Sequence, residues 1–112
     1  MMGDSRVIVV LTTTATEADA ARISRVLIEE RLAACVQRVP ISSTYVWDGR
    51  AEEATEQLLI VKTLSERGAE VDKRIHELSA YEVPEVVTLE ATSVGAAYDA
   101  WLRSVCRSPR RH

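Results

Sequence analysis

An Asp-Gly pair at 48–49, set between two long runs of strand-forming residues, constrains this chain more than any other feature. The first run climbs from Ala34-Cys35-Val36 through Ile41-Ser42-Ser43-Thr44-Tyr45-Val46-Trp47. The second descends from Arg50 through Glu52 and Glu53 to Leu58-Leu59-Ile60-Val61-Lys62-Thr63. A two-residue type I′ turn needs positive φ at both central positions, which Asp-Gly accepts readily. With Asp48 and Gly49 as the loop, Trp47 pairs with Arg50, Tyr45 faces Glu52 and Val39 faces Leu58. Each arm then extends for roughly 33 Å at about 3.3 Å per residue. A compact chain of 112 residues has a radius of gyration of only about 13 Å, so residues 34–63 are expected to project from their own subunit. An isolated two-stranded ribbon is marginal in water. This one carries Tyr45, Val46 and Trp47 at its tip, which makes them candidate oligomer-interface anchors.

The rest of the chain supplies a frame for that hairpin. Arg6-Val7-Ile8-Val9-Val10-Leu11-Thr12 is a β-branched run suited to a central strand, broken at Thr13-Thr14-Ala15-Thr16. Thr16-x-x-Asp19 and Thr14-x-x-Glu17 are overlapping capping-box frames that start a helix. Its stripe is Ala20, Ile23, Leu27 and Ala34, with Val26 alongside. Pro40 removes a ladder donor, so its strand has a bulge, a bend or a free edge there. Ser65 is read as the cap of a second helix with Val71, Ile75 and Leu78 inward. Pro84 keeps Tyr81-Glu82-Val83-Pro84-Glu85 extended. Val86-Val87-Thr88-Leu89-Glu90-Ala91 is the fourth strand, and Gly95 opens a last helix with Tyr98, Trp101, Leu102 and Val105 on one face. The order β-α-β-β-α-β-α predicts an α+β, ferredoxin-like split βαβ sandwich with one added C-terminal helix. Right-handed crossovers put both main helices on one sheet face. The other face is left open and apolar, a surface for oligomerisation.

Composition narrows the classes. With 46% hydrophobic and 28% charged residues the chain is an ordinary globular domain, read as one unit over 1–112 with 1–5 and 107–112 as frayed tails. The net charge of −3 argues against nucleic acid, since the basic cluster Arg107, Arg110 and Arg111 is confined to the tail. Cys35 and Cys106 form no CxxC pattern, which suits a reducing cytoplasm and leaves the role of both open. No run approaches the length of a membrane span. The expectation is a cytoplasmic protein without nucleic-acid or membrane partners.

Catalytic layouts are absent: there is no Gly-rich phosphate loop, no G-x-S-x-G and no H-E-x-x-H. His112 stands in the tail. His76 lies mid-helix, either solvent-facing or a metal ligand. Cys35 reads as a small hydrophobe. Trp47 and Tyr45 are interface anchors or the wall of an inter-subunit pocket. Lys62 either snorkels or contacts an anion. Glu82 and Glu85 bracket a proline-stiffened turn and are surface charges or hard oxygen ligands for a cation. Glu52, Glu53 and Glu56 read as a solvated edge that discourages wrong strand pairing. An enzyme of this fold would need an acid–base pair, and an RNA-binding module would need positive charge beside its strand aromatics; neither is found.

Taken together, Arg31-Leu32-Ala33-Ala34-Cys35-Val36, Tyr45-Val46-Trp47-Asp48-Gly49, Leu59-Ile60-Val61-Lys62-Thr63, Tyr81-Glu82-Val83-Pro84-Glu85-Val86 and Tyr98-Asp99-Ala100-Trp101-Leu102 resemble the CutA divalent-cation tolerance family over roughly residues 6–105. The resemblance implies a homotrimer whose hairpins wrap neighbouring subunits, similar to PII signalling proteins in assembly. It implies no catalytic reaction and no required cofactor, a link to tolerance of copper and other divalent metals, and inter-subunit clefts lined by Trp47, Lys62, Tyr81, Glu82, Glu85 and Trp101. The chain departs from the family's His-Pro-Tyr-Glu-x-Pro-Glu, reading Ser79-Ala80-Tyr81-Glu82-Val83-Pro84-Glu85. It has Thr12 where some copper-binding members carry Cys. Copper prefers imidazole and thiolate, so a metal site built on Glu85, with His76 one helical turn before Ala80, is expected to be weak. The alternative is a PII-like sensor that binds an anion or nucleotide in the inter-subunit clefts, with Lys62 as its contact.

Overall fold

The computed structural model describes residues 5–107. Most of both expected tails, with Arg110, Arg111 and His112, lies outside the described residues. The elements run β1 (Val7–Thr14), α1 (Glu17–Glu29), β2 (Cys35–Trp47), β3 (Arg50–Leu64), a 3-10 turn (Ser65–Arg67), α2 (Gly68–Leu78), β4 (Val87–Glu90) and α3 (Ala96–Cys106). The sheet is antiparallel with strand order β2-β3-β1-β4, the expected ferredoxin-like arrangement.

The hairpin has the register its turn dictates. Trp47 opposes Arg50, Tyr45 opposes Glu52 and Val39 opposes Leu58. Asp48 and Gly49 have φ of 54° and 75°, as a type I′ turn demands. Pro40 stays in the ladder opposite Gln57 because β2 is the free edge of the sheet. β1 pairs with β3 only as far as Thr14 against Gln57, so residues 41–47 and 50–56 form a ribbon with no third strand. The projection shows in a radius of gyration of 14.8 Å and a long axis of 46 Å.

Alternation along the strands separates two faces. Ile8, Val10, Leu59 and Val61 pack with Ala20, Ile23 and Leu27 of α1 and Val71 and Ile75 of α2. Each fully buried aliphatic side chain here stabilises the fold by about 1.5–3 kcal/mol. The two helices are also joined by Arg74, whose guanidinium grips both carboxylate oxygens of Glu30 at 2.9 and 2.7 Å. α1 starts where the capping frame requires, with the Thr16 hydroxyl accepting the Asp19 N–H.

Several expectations are corrected. β1 continues through Thr14, because Thr13 and Thr14 still find partners in the long β3. Ala34 is not on α1, which stops at Glu29 in a Schellman turn. There Arg31 takes φ 59°, Leu32 N–H donates to Leu27 C=O and Arg31 N–H donates to Ile28 C=O. Ser65 is not the N-cap of α2. It opens the 3-10 turn, its hydroxyl accepts the Arg6 N–H, and Arg67 stands at the helix start with no side-chain cap. The connection before β4 bends at residues 80–83 rather than running extended, and β4 loses Val86 and Ala91 at its ends. On α3 the buried pair is Leu102 and Cys106, while Tyr98 and Trp101 stay exposed. Leu102 and Cys106 pack with Val7 and Leu64, which face away from α1 and α2. α3 therefore covers one end of the face expected to be wholly open.

Candidate functional site

Which side chains share the second face follows from register alone. Trp47, Tyr45, Ser43 and Ile41 lie across from Arg50, Glu52, Ala54 and Glu56, and this row continues through Leu58, Ile60 and Lys62 to Thr13, Leu11 and Val9 of β1 and Val87 and Leu89 of β4. Val87 is 46% and Leu89 50% exposed. Of the hairpin-tip residues, Tyr45 and Trp47 stand on this face, Trp47 at 53% exposure. Val46 points to the opposite side and is 75% exposed.

At the ribbon end of this face the loop between α2 and β4 folds across the end of β1. It reaches the hairpin and closes a cleft of about 640 Å³. Tyr45, Trp47 and Glu56 line it from the hairpin, Tyr81, Glu82 and Glu85 from the loop, with Thr13 and Ser43 between them. The Tyr81 hydroxyl donates to Glu56 Oε2 at 2.6 Å. Burial pushes the Glu56 carboxyl up, but hydrogen bonds from Ser43, Tyr81 and Thr13 outweigh it and hold the group below its usual value. Tyr81 moves the opposite way. Burial and then the Glu56 carboxylate it bonds raise its phenol above the ordinary range. The pair is thus an ionised carboxylate beside a firmly neutral phenol, and it pins the loop that carries Glu82 and Glu85.

At the other end of the face Lys62 Nζ stands 5.8 Å from the centroid of the Tyr98 ring, at the outer limit of a cation–π contact. Tyr98 and Trp101 lie with ring centroids 5.3 Å apart and tilted by 47°. Cys35, opposite Lys62 in the ladder, is half-buried beside Tyr98, whose phenol is raised by burial and then by this neighbour.

The sequence candidates therefore split. Trp47, Tyr81, Glu82 and Glu85 share the ribbon-end cleft, while Lys62 and Trp101 belong to the α3 end. His76 does not line the cleft. It is exposed on α2, its Nδ1 3.0 Å from the Asp72 carboxylate. Among the described residues no three His, Cys, Asp or Glu side chains converge as a metal-ligand set. Glu56, read as a solvated edge charge with Glu52 and Glu53, is instead half-buried at the centre of the cleft. The missed signal was strand parity. Glu56 opposes Ile41, four pairs beyond the pairing of Tyr45 with Glu52, and so, an even number of residues away, shares the face of Tyr45 and Trp47, whereas Glu53 does not.

The chain is similar to known proteins over nearly its full described length. A sequence profile described as CutA1 divalent ion tolerance protein matches residues 8–105. The divalent-cation tolerance protein CutA of Thermus thermophilus is 43% identical over 96 residues, covering 85% of this chain and 93% of that protein. The human protein CutA is 38% identical over 90 residues, covering 80% of this chain and 50% of the human one. Among solved structures, the T. thermophilus protein superposes with a TM-score of 0.85 at 41% identity, covering 88% of this chain and 96% of its own. The Archaeoglobus fulgidus structure, called a periplasmic divalent cation tolerance protein, superposes at 0.88 with 32% identity, covering 90% of this chain and 99% of its own.

Proposed function

This chain belongs to the CutA1 divalent ion tolerance family, and from that membership we propose that it is a non-enzymatic, cytoplasmic homotrimer acting in divalent-cation tolerance, with ligand clefts between subunits. The observation that carries the assembly is the second face of the sheet. Its half-exposed Val39, Val87 and Leu89, continuous with the aromatic tip of a ribbon that leaves its own subunit, need a covering surface. In a three-fold arrangement the ribbon of one subunit reaches its neighbour, and its acidic cleft meets the α3 end of that subunit. Among the described residues no helix is long and apolar enough to cross a membrane.

The cleft does not suit a copper centre. Its polar donors, Glu56, Glu82, Glu85, Thr13 and Ser43, are all oxygens, whereas copper favours imidazole and thiolate. Thr12, the position of a cysteine in some copper-binding relatives, is buried on the opposite face, toward the helices. His76 is engaged with Asp72. Copper binding by Glu85 and His76 is thus proposed to be weak. The PII-like alternative draws on Lys62, the cation at the α3 end, as the contact for an anion or nucleotide.

Light scattering tests the assembly: three chains are expected, and a concentration-independent monomer would exclude both trimeric readings. Calorimetric titration separates them. Copper(II) binding tighter than about 1 μM that Glu85→Gln abolishes would restore the metal centre. Protection by a nucleotide or small anion, lost in Lys62→Ala, would favour the sensor.

A further inference from the structure

The two ends of the second sheet face carry opposite charge. A single subunit's share of the ribbon-end cleft holds Glu56, Glu82 and Glu85 with the Trp47 and Tyr45 rings, and no Lys, Arg or His. The α3 end holds Lys62 beside Tyr98 and Trp101. We propose that these ends meet across each subunit boundary, and that the partner subunit's Lys62 sets its ammonium group in the cleft, against Glu82, Glu85 and the indole of Trp47. This inference rests on the trimeric reading above and names the contact that completes the cleft.

Lys62 lacks a counter-ion in its own chain. Register puts it on the second face, where, apart from Arg50 at the ribbon tip, it is the basic residue that the strands present. It is half-buried, and among the described residues it forms no ion pair, its one contact being the distant Tyr98 ring. The nearby carboxylate of α3 is already taken, since Asp99 is held by Arg103. An amine in this position becomes costly once a second subunit displaces its water, unless that subunit supplies an anion.

The cleft has the reverse deficit. Glu56 is satisfied by hydroxyls of its own chain and stays ionised. Glu82 and Glu85 form no hydrogen bond or ion pair among the described residues. A neighbour packed over the exposed rings of Tyr45 and Trp47 therefore also covers carboxylates that need a cation. A lysine suits both requirements. Its ammonium group pairs with the acids and rests on an aromatic face, while its methylene stem lies along apolar surface. A contact between unlike ends of one face is heterologous, and repeated head to tail it closes a ring in which each subunit gives one amine and receives one.

Carbodiimide coupling tests this on the purified full chain. The reagent activates a carboxylate, and an amine in contact with it displaces the reagent as a urea and forms an amide. A Lys62–Glu82 or Lys62–Glu85 peptide is expected by mass spectrometry, from a product with the mass of two or three chains. A sample that scatters as a trimer but never links Lys62 to these acids between chains would overturn the inference and leave the assembly standing. A monomer by scattering would instead remove the trimeric reading, and this inference with it. Charge reversal gives a second measure, read in dilution series under mild denaturant. Lys62→Glu and the double variant Glu82→Lys/Glu85→Lys should each weaken association by about tenfold, equivalent to about 1.4 kcal/mol, with circular dichroism unchanged. The combined triple variant should recover most of that loss. Losses that simply add in the triple variant would show that the charges do not meet.

Discussion

On the sheet face covered by α1 and α2, Leu59 and Val61 are fully buried. On the opposite face Leu89, an identical side chain to Leu59, is half exposed. Both faces are apolar by pattern, so the difference is one of cover. The helices of the same chain close the first, while α3 reaches only one end of the second, through Leu102 and Cys106 on Val7 and Leu64. The covered face holds the fold together and the uncovered face carries every candidate binding residue of the sheet. Polar chemistry concentrates where cover is missing, with Glu56, Tyr81 and Lys62 half-buried among exposed rings.

The sharpest test of this contrast is Leu59→Ala, expected to destabilise the chain by about 2–5 kcal/mol through the cavity it leaves. A shift of its denaturant midpoint corresponding to less than about 1 kcal/mol would mean that the helix face is not the principal core.

Next in size is Tyr81→Phe, which removes a hydrogen bond to a charged group and should cost about 1.5 kcal/mol. Its pH dependence locates the effect. Because the folded Glu56 carboxyl lies below its ordinary value, its contribution is complete above the ordinary carboxylate range and is lost as pH falls through the folded value. Tyr81 has the reverse sign, its raised phenol stabilising below about pH 10 and losing that contribution as pH rises through the folded value. Glu56→Gln should flatten the acid limb of a stability–pH profile and bring the Tyr81 phenolate absorbance to lower pH. An unchanged titration in that variant would disconnect the loop from the hairpin.

A smaller effect, about 1 kcal/mol, is expected for Gly49→Ala. Its φ is +75° and no atom lies within 4 Å of an added Cβ, so backbone strain alone is at stake. Thermal melts would read it, and a loss as large as that of Leu59→Ala would show that the ribbon contributes to the core. The least change in folding is predicted for Leu89→Asp. It should leave the circular dichroism of the chain intact and alter stability by no more than about 0.5 kcal/mol in the dissociated chain, while lowering the scattering mass of the assembly. Unfolding by this variant would erase the distinction between the two faces.

Much of the architecture was legible in the order of residues. The Asp48-Gly49 turn set the register of the whole hairpin, since a two-residue loop leaves one pairing for each position on either arm. Thr16 marked the start of α1 because its hydroxyl can satisfy an N–H three residues along, which is a local geometry. Helix ends were less legible. The stop after Glu29 depends on Arg31 adopting a left-handed conformation that its residue type does not advertise. Ser65 resembled a cap in sequence, but its hydroxyl accepts the N–H of Arg6, which lies far away in the chain.

The candidate site was legible in its parts and not in its grouping. Trp47, Tyr81, Glu82 and Glu85 could be named from sequence. Their separation from Lys62 and Trp101 required the sheet, which sets the two groups at opposite ends of one face. What the sequence determined by itself rests on short-range causes: backbone preferences at turns and caps, and the alternation that sorts strand residues onto two faces. Only the tertiary structure decided that Tyr81 would reach Glu56, that Cys106 would be buried and that α3 would cross to the second face. Each of these joins segments distant in the chain, and no local preference at either end carries information about the partner that folding brings to it.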